Sequence, residues 1–246
     1  MENPKPKLQN DFALLLVGRP KSGKTNVAFT FPNILYYDLD MNLESAIRRH
    51  PEKKDYSRVI IDYDITTGNE VPLDMRWAKL VQHLEASWKD PKYKTIVVDG
   101  LTKVRQYLCD FLVSQPSAVK DLIIGGQKMM TQSHWGPYAV LLQRFISGLR
   151  RIDKYIICCS HIHDDKDDAT GRWFTKPAIG GQSEDTLPGI FTDVWQCEAR
   201  PSAAGADYYV RTVPTAQMVL GNTLELLPEW KFDFSEFKRR LDKYKV

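Results

Sequence analysis

One segment of the chain has the residue types and spacing that bind phosphate. Residues 18–25 fit the pattern G-x-x-x-x-G-K-[ST]. Its glycines let backbone N–H groups converge on phosphate oxygens, and a following helix adds the positive field of its N-terminus. Lys24 would neutralise the β- and γ-phosphates, and the Thr25 hydroxyl would ligate Mg²⁺. The candidate nucleotide ligands are Gly18, Arg19, Pro20, Lys21, Ser22, Gly23, Lys24 and Thr25.

Asp99 is the second candidate metal ligand. It ends the apolar run 95–98, and a phosphate-binding loop needs such a carboxylate, the Walker B acid, to hold the metal through water. A strand-terminal Asp that only caps the next turn is the alternative. Together, Thr25 and Asp99 predict a site for Mg²⁺ and a nucleoside triphosphate such as ATP, without indicating what the energy is used for.

Apolar runs predict the elements that must position these residues. Residues 12–17 are continuously apolar and end at Gly18, which is typical of a strand buried on both faces. Further strands are predicted at 34–37, 59–61, 95–99 and 155–159, and helices at 23–31, 43–50, 74–88, 104–113 and 138–152. This alternation predicts an α/β fold with a mostly parallel central sheet flanked by helices. From residue 191, alternating runs predict late antiparallel strands, with a hairpin around 202–207.

Composition predicts a single globular domain over 1–246. The chain is 43% hydrophobic and 26% charged, which excludes disordered, collagen-like and membrane-spanning classes. No early apolar run is long enough to cross a bilayer. The four cysteines lack metal-ligand spacing and indicate a reducing compartment, so a cytoplasmic protein is expected. A net charge of +3 is too low to coat duplex DNA by charge alone, so any nucleic-acid contact must be local.

Three segments differ from the rest of the chain in composition. The N-terminal residues 1–10 are expected to form a flexible tail. Residues 163–181 are polar and rich in charge, and are expected to form a mobile loop. Residues 232–246 are expected to form a basic amphipathic helix, whose charges are most simply a solvated face.

The motifs resemble the RecA-like P-loop ATPase core, and within it the short phage-encoded single-strand-annealing proteins with an AAA-type ATP-binding domain. Residues 36–40 resemble the second strand of that core, which ends in Asp-x-Glu, and the resemblance implies that Asp40 activates the attacking water. Residues 95–101 are similar to the Walker B strand that ends at Asp99. Residues 156–161 stand where the family senses the γ-phosphate, which implies His161 as the sensor. A helix cap formed by Asp38 and Asp40 ahead of residue 43, and a plain surface or capping role for His161, are the alternatives.

The resemblance also implies a contact with single-stranded DNA. In the family, the segment after the sensor carries DNA and ends in Gly-Gly, as residues 180–181 do here. Arg172, Trp173 and Lys176 would contact the strand, because an aromatic between cations suits stacking bases and attracted phosphates. The aspartates within 164–168 oppose this interpretation, since they repel phosphate. Arg211 would reach the nucleotide of a neighbouring subunit, or is a solvated strand-edge residue.

The function implied by the resemblance is recombination. A weak Mg²⁺-dependent ATPase would bind single-stranded DNA as a homo-oligomeric ring or filament, cooperate with a single-stranded-DNA-binding protein, and promote annealing or strand exchange. It would be phage-encoded and act in the cytoplasm of a bacterial host, away from membranes. Two other functions stay open. One is a DNA-stimulated motor ATPase of helicase or packaging type, and the other is an ATP-dependent switch that acts on a protein partner without DNA.

Overall fold

Parallel strands form the centre of the fold. The structure is a computed structural model that describes residues 12–116, 122–203 and 205–243; the predicted tail 1–10 and the end of the predicted C-terminal helix, 244–246, lie outside these residues. Within them, one sheet contains eight strands: β1 (Ala13–Val17), β2 (Ile34–Asp38), β3 (Tyr56–Val59), β4 (Thr95–Asp99), β7 (Tyr155–Ser160), β10 (Asp193–Ser202), β11 (Gly205–Arg211) and β12 (Glu229–Lys231). Their order across the sheet is β12-β11-β10-β1-β7-β4-β2-β3.

The strand directions confirm the predicted fold class. Strands β10, β1, β7, β4, β2 and β3 pair in parallel. Strands β11 and β12 extend the sheet in antiparallel pairing beyond β10. The β10–β11 pairing ends at Ser202 opposite Gly205, so the predicted hairpin around 202–207 is confirmed. The fold is α/β, with a mostly parallel sheet and late antiparallel strands.

Helices cover both faces of the sheet. The apolar cluster on one face includes Trp77, Leu108 and Leu142, and the cluster on the other includes Phe29 and Phe237. A strand between two such layers is apolar along its whole length, which explains the unbroken runs of the sequence. The helices are α1 (Lys24–Phe29), α2 (Glu44–Arg49), α3 (Leu73–Ser87), α4 (Leu101–Ser114), α5 (Trp135–Arg150), α6 (Ser183–Thr186) and α7 (Phe234–Lys243). In the described part of the chain, no helix is both long and apolar enough to cross a membrane.

Two segments outside the predicted strands and helices contain hairpins. Strands β8 (Ile162–Lys166) and β9 (Trp173–Pro177) pair antiparallel, so the expectation of a loop over 163–181 was wrong for the residues of these two strands. Strands β5 (Leu122–Ile124) and β6 (Gln127–Met129) form a second hairpin between α4 and α5. Both runs are too short and too polar or Gly-rich to show strand periodicity.

The carboxyl ends of the parallel strands lie at one edge of the sheet. In the pairing register, Val17 lies opposite Ser160, Cys159 opposite Asp99, and Asp99 opposite Asp38. The residues that follow these ends must therefore lie side by side. This is the edge of an open α/β sheet at which ligands bind.

Candidate functional site

The phosphate-binding loop connects β1 to α1 and wraps around Lys24. The Lys24 side chain is buried, and its Nζ donates hydrogen bonds to the carbonyl oxygens of Gly18 at 2.9 Å and Arg19 at 3.0 Å. The Gly18 N–H donates to the Ser160 carbonyl at 3.2 Å, which ties the loop to β7. The ammonium is thus held inside the loop by carbonyls that phosphate oxygens can replace.

Both glycines of the motif are required by close approaches. At Gly18 an added Cβ would lie 2.8 Å from the Cys197 carbonyl oxygen, and at Gly23 it would lie 2.2 Å from the Tyr208 ring. Gly23 also has φ +99°, a conformation that other residues rarely adopt. The Ser22 hydroxyl is buried without a hydrogen-bond partner among the described residues. An unsatisfied donor in the same loop as the buried Lys24 fits a loop that receives phosphate oxygens.

The oxygen ligands predicted for Mg²⁺ lie together. Thr25 Oγ1 donates to Asp99 Oδ2 at 2.7 Å, and the Tyr36 hydroxyl donates to the same oxygen at 2.5 Å. A hydroxyl and a carboxylate are hard oxygen ligands, so this pair fits Mg²⁺ that also binds phosphates and water. No group of three or more His, Cys, Asp or Glu side chains that could hold a metal occurs within 12–116, 122–203 and 205–243. The protein would therefore hold the ion through Thr25 and Asp99 together with the phosphates.

Burial raises the pKa of the Asp99 carboxyl, and the nearby charge of Asp40 adds to that effect. The hydrogen bonds from Tyr36 and Thr25 and the charge of Lys24 oppose it only in part. A cation bound at this carboxylate would favour its ionised form.

This raised pKa predicts that Asp99→Asn stabilises the unliganded protein. The ordinary pKa of an unfolded Asp is about 3.9, so folded Asp99 keeps its proton at pH values where the unfolded chain has lost it. Stability therefore falls as the pH rises from that value through the raised pKa, and at pH 7 the charge costs stability. Asn keeps an acceptor oxygen for Tyr36 and Thr25. We expect melting at pH 7 without Mg²⁺ or nucleotide to occur about 2–4 °C higher. The exposed control Asp168→Asn should melt like the parent, and a lower melting temperature for Asp99→Asn would contradict the prediction.

Asp40, His161 and Lys24 form a line across the strand ends. His161 Nδ1 is 3.5 Å from Lys24 Nζ, and His161 Nε2 is 3.6 Å from Asp40 Oδ2. An added Cβ at Gly100 would lie 3.0 Å from the Asp40 carboxyl atoms, and Gly100 has φ +118°. The structure therefore brings the predicted water-activating residue and the predicted sensor to the loop lysine.

Asp38 has a different environment from Asp40. It is fully buried, accepts the backbone N–H groups of Asn42 and Leu43, and forms an ion pair with Arg58 at 2.7 Å. The helix-capping alternative thus describes Asp38, which holds the start of α2. The Asp40 carboxylate, by contrast, lies beside the His161 ring.

The β8–β9 hairpin is bonded directly to the phosphate-binding loop. Arg19 Nη2 lies 2.6 Å from Asp164 Oδ2, and Asp164 Oδ1 accepts a hydrogen bond from the Thr175 hydroxyl across the hairpin. Trp173 is 55% exposed, and the Lys166 ammonium lies 5.9 Å from the centre of its ring. The hairpin therefore presents an exposed aromatic ring beside the Lys166 cation.

Two of the predicted cations are engaged by carboxylates of their own chain. Lys176 pairs with Asp165 at 3.3 Å and Asp185 at 3.1 Å. Arg211, the candidate for a neighbouring nucleotide, lies 3.4 Å from Glu229 and 3.6 Å from Glu198. Arg211 must leave these partners to reach another subunit.

Further aromatic side chains surround the site, and two of them, Tyr36 and Tyr208, have no signal in the local sequence. Tyr36 binds the metal-ligand candidate, and Tyr208 lies against Gly23 from a distant strand. Trp135 and Tyr138, part of a Trp-Gly-x-Tyr motif, support the segment after the hairpin: an added Cβ at Gly181 would be 3.6 Å from the Trp135 ring, and the Tyr138 hydroxyl donates to the Ile179 carbonyl.

The comparison with known protein families agrees with the phosphate-binding motif. One solved structure that the chain resembles is a KaiC-like protein from the hyperthermophilic archaeon Pyrococcus horikoshii OT3, with 11% identity and a TM-score of 0.44 over 91% of this chain and 86% of that one. No curated protein matches the sequence. A family model described as an AAA domain matches residues 11–224, which include the loop, Asp40, Asp99 and His161. The chain therefore belongs to this AAA domain family and is an AAA-type P-loop ATPase.

Proposed function

We propose that this ATPase binds single-stranded DNA in response to ATP, assembles on it as a homo-oligomer, and promotes annealing or strand exchange. A phage origin, action in the bacterial cytoplasm and cooperation with a single-stranded-DNA-binding protein belong to the same proposal. The observation that carries it is the Arg19–Asp164 ion pair at 2.6 Å, which joins the phosphate-binding loop to the exposed β8–β9 hairpin. A phosphate that displaces Arg19 or moves the loop would act directly on the hairpin.

The geometry supports a role for each site residue in hydrolysis. Lys24 would exchange its carbonyl partners for phosphate oxygens, and Mg²⁺ at Thr25 and Asp99 would neutralise charge on the triphosphate. Asp40 would orient a water and take its proton as the water oxygen bonds to the γ-phosphorus and the bond to ADP breaks. His161 touches both Lys24 and Asp40 and directly precedes β8. His161 would therefore couple the binding of the γ-phosphate to the conformation of the β8–β9 hairpin.

The acidic residues of the hairpin oppose DNA less than the sequence suggests. Asp164 pairs with Arg19, and Asp165 pairs with Lys176. Asp167 accepts the backbone N–H groups of Ala169 and Thr170 in the turn. These bonds compensate much of the negative charge beside Trp173, so the hairpin need not repel phosphates as a free acidic run would.

A protein-directed switch is the second candidate, and the β5–β6 hairpin favours it. Leu122, Ile123 and Ile124 are 46%, 60% and 60% exposed, and Met129 is 43% exposed. Adjacent exposed apolar side chains on one short hairpin are typical of a contact with another protein. In that case ATP would change the affinity for a protein partner rather than for DNA.

The deciding experiment is fluorescence anisotropy with labelled single-stranded and duplex oligonucleotides, each with ATP, ADP or no nucleotide. We expect ATP-dependent binding that prefers the single strand. Absence of binding in every nucleotide state at low salt would contradict the proposal and favour the protein-directed switch. Rapid DNA-stimulated turnover with directional unwinding would instead favour a motor.

Trp173→Ala is expected to weaken single-stranded DNA binding. Stacking on an aromatic side chain contributes roughly 1–3 kcal/mol per base, so the affinity should fall about 5- to 150-fold, with little change in the affinity for ATP. The same anisotropy titration measures it. Tyr63→Ala is the matched control, because Tyr63 is 42% exposed and lies outside the hairpin. Equal behaviour of the two variants would argue against DNA contact at the hairpin.

Arg19→Gln is expected to uncouple the phosphate-binding loop from the β8–β9 hairpin. The variant should bind ATP within about fivefold of the parent affinity, because Arg19 would contact the phosphates through its backbone and an exposed ion pair contributes about 1 kcal/mol or less. The affinity for single-stranded DNA in the presence of ATP should fall toward the affinity measured with ADP. Arg239→Gln removes a comparable exposed ion pair on α7 and should keep the full ATP response. A normal response in Arg19→Gln would show that the pair does not transmit the signal.

A further inference from the structure

An apolar groove of about 450 Å³ lies between α3 and α5. Its lining includes the buried Leu84 and Leu149 and the partly buried Val81, Trp88 and Phe145. Among the described residues, none of the buried polar side-chain atoms that lack a hydrogen-bond partner belongs to this lining. Sites for small molecules use a few placed polar groups to orient the ligand, so this groove suits an apolar protein surface instead.

Charged side chains border the groove. Glu85, Arg144 and Arg151 belong to its lining and are exposed. An apolar floor with aromatic side chains inside a polar rim is typical of protein interfaces. Gly148 lies in the last turn of α5, and a Cβ added there would meet no other part of the described chain within 4 Å. The α5 wall of the groove is therefore open to side chains from another molecule.

The β5–β6 hairpin is a second exposed apolar surface of this chain. All eight residues 122–129 are exposed. In the pairing register Leu122 lies opposite Met129, and Leu122 and Ile124 are two residues apart on one strand, so the three side chains share one face of the hairpin. Two-stranded hairpins are only marginally stable in water by themselves. A surface that covers this apolar face would therefore stabilise the hairpin.

The form and charge of the hairpin suit the groove. Gly125 and Gly126 form its turn with φ of +59° and +79°, and they carry no side chains, so the hairpin has a narrow end. Lys128 is the only charged residue between Leu122 and Met129. The rim carries charges of both signs, and its carboxylate, Glu85, is opposite in charge to Lys128. A narrow apolar hairpin with one cation can thus enter a groove with this rim.

We propose that the β5–β6 hairpin of one copy of this chain docks in the α3–α5 groove of a second copy. The hairpin and the groove are different surfaces, so the contact is head-to-tail, and its repetition generates a ring or a filament. The inference rests on the homo-oligomer of the proposed function and names the surfaces that form it. Neither surface contains a residue of the phosphate-binding loop or of the β8–β9 hairpin.

Sedimentation velocity over a range of protein concentrations, without nucleotide or DNA, tests this contact. The parent should self-associate. Ile124→Asp should lower the association constant about tenfold or more, because it places an unpaired charge in an apolar interface. Gly148→Gln puts a side chain into the groove and should have the same effect. Ile65→Asp and Val140→Gln are the matched controls; they change exposed apolar residues outside both surfaces and should associate like the parent.

A mixture of the two variants gives the most specific result. Ile124→Asp keeps an intact groove, and Gly148→Gln keeps an intact hairpin. Each variant alone should remain largely monomeric, whereas the mixture should form a 1:1 pair joined by one contact. Misfolding of either variant cannot produce this pattern, and glutamine forms helices more readily than glycine. Val81→Gln alters the groove from α3 and should replace Gly148→Gln in the mixture.

Three outcomes would overturn the assignment. They are a parent that stays monomeric at every concentration, groove variants that associate like the parent, and a mixture that behaves like its separate components. Anisotropy with the labelled oligonucleotide distinguishes this failure from failure of the proposed function. ATP-dependent DNA binding by a parent that does not self-associate would refute the contact alone. Self-association through the hairpin and groove without DNA binding would refute the DNA proposal alone.

Discussion

Lys24→Ala is expected to lower the affinity for ATP by about 100-fold or more and to remove ATP-dependent binding to single-stranded DNA. The Lys24 ammonium is buried and donates to the Gly18 and Arg19 carbonyls, which phosphate oxygens can replace. Hydrogen bonds to charged groups contribute roughly 1.5–3 kcal/mol each, and alanine removes at least two of them. Calorimetry with ATP and anisotropy with a labelled oligonucleotide measure the two effects.

Lys21→Asn is the matched control for this prediction. Lys21 belongs to the same loop, but its side chain is exposed and its φ of +64° is one that Asn tolerates. The control should bind ATP within about threefold of the parent, because Lys21 would contribute through its backbone. A melting curve of Lys24→Ala shows whether the variant folds. Normal ATP affinity in folded Lys24→Ala would contradict the assignment of the loop.

Asp40→Asn is expected to separate hydrolysis from binding. Loss of a general base typically lowers kcat about 10²- to 10⁴-fold. The affinity for ATP should change less than about threefold, since Asn has the same size and fits beside Gly100. Phosphate release under single-turnover conditions measures hydrolysis, and calorimetry measures binding. If ATP acts as an assembly signal, this variant should also hold single-stranded DNA longer in the presence of ATP.

Two further variants sharpen the test. Asp40→Glu restores a carboxylate and should hydrolyse ATP measurably faster than Asp40→Asn. Asp168→Asn removes an exposed carboxylate of the hairpin turn and should leave kcat unchanged. Hydrolysis by Asp40→Asn at the parent rate would mean that another group activates the water, and His161, 3.6 Å from Asp40, would be the next residue to replace.

The sequence by itself determined the local chemistry and the fold class. The phosphate-binding motif needs glycines at Gly18 and Gly23 for close backbone approach, and this requirement is visible in residue types alone. Buried parallel strands must be apolar on both faces, so the runs before Gly18 and Asp99 revealed the sheet. Because parallel strands end at one edge, residues 18–25, Asp40, Asp99 and His161 could be predicted to meet there.

Only the tertiary structure decided which neighbouring side chains complete the site. Asp38 and Asp40 are alike in sequence, yet Arg58 and the start of α2 engage the first and leave the second beside His161. The contact of Tyr208 with Gly23 also depends on a strand that is distant in the chain. Periodicity and motifs report local backbone and burial, whereas contacts between distant side chains follow from the order of strands in the sheet.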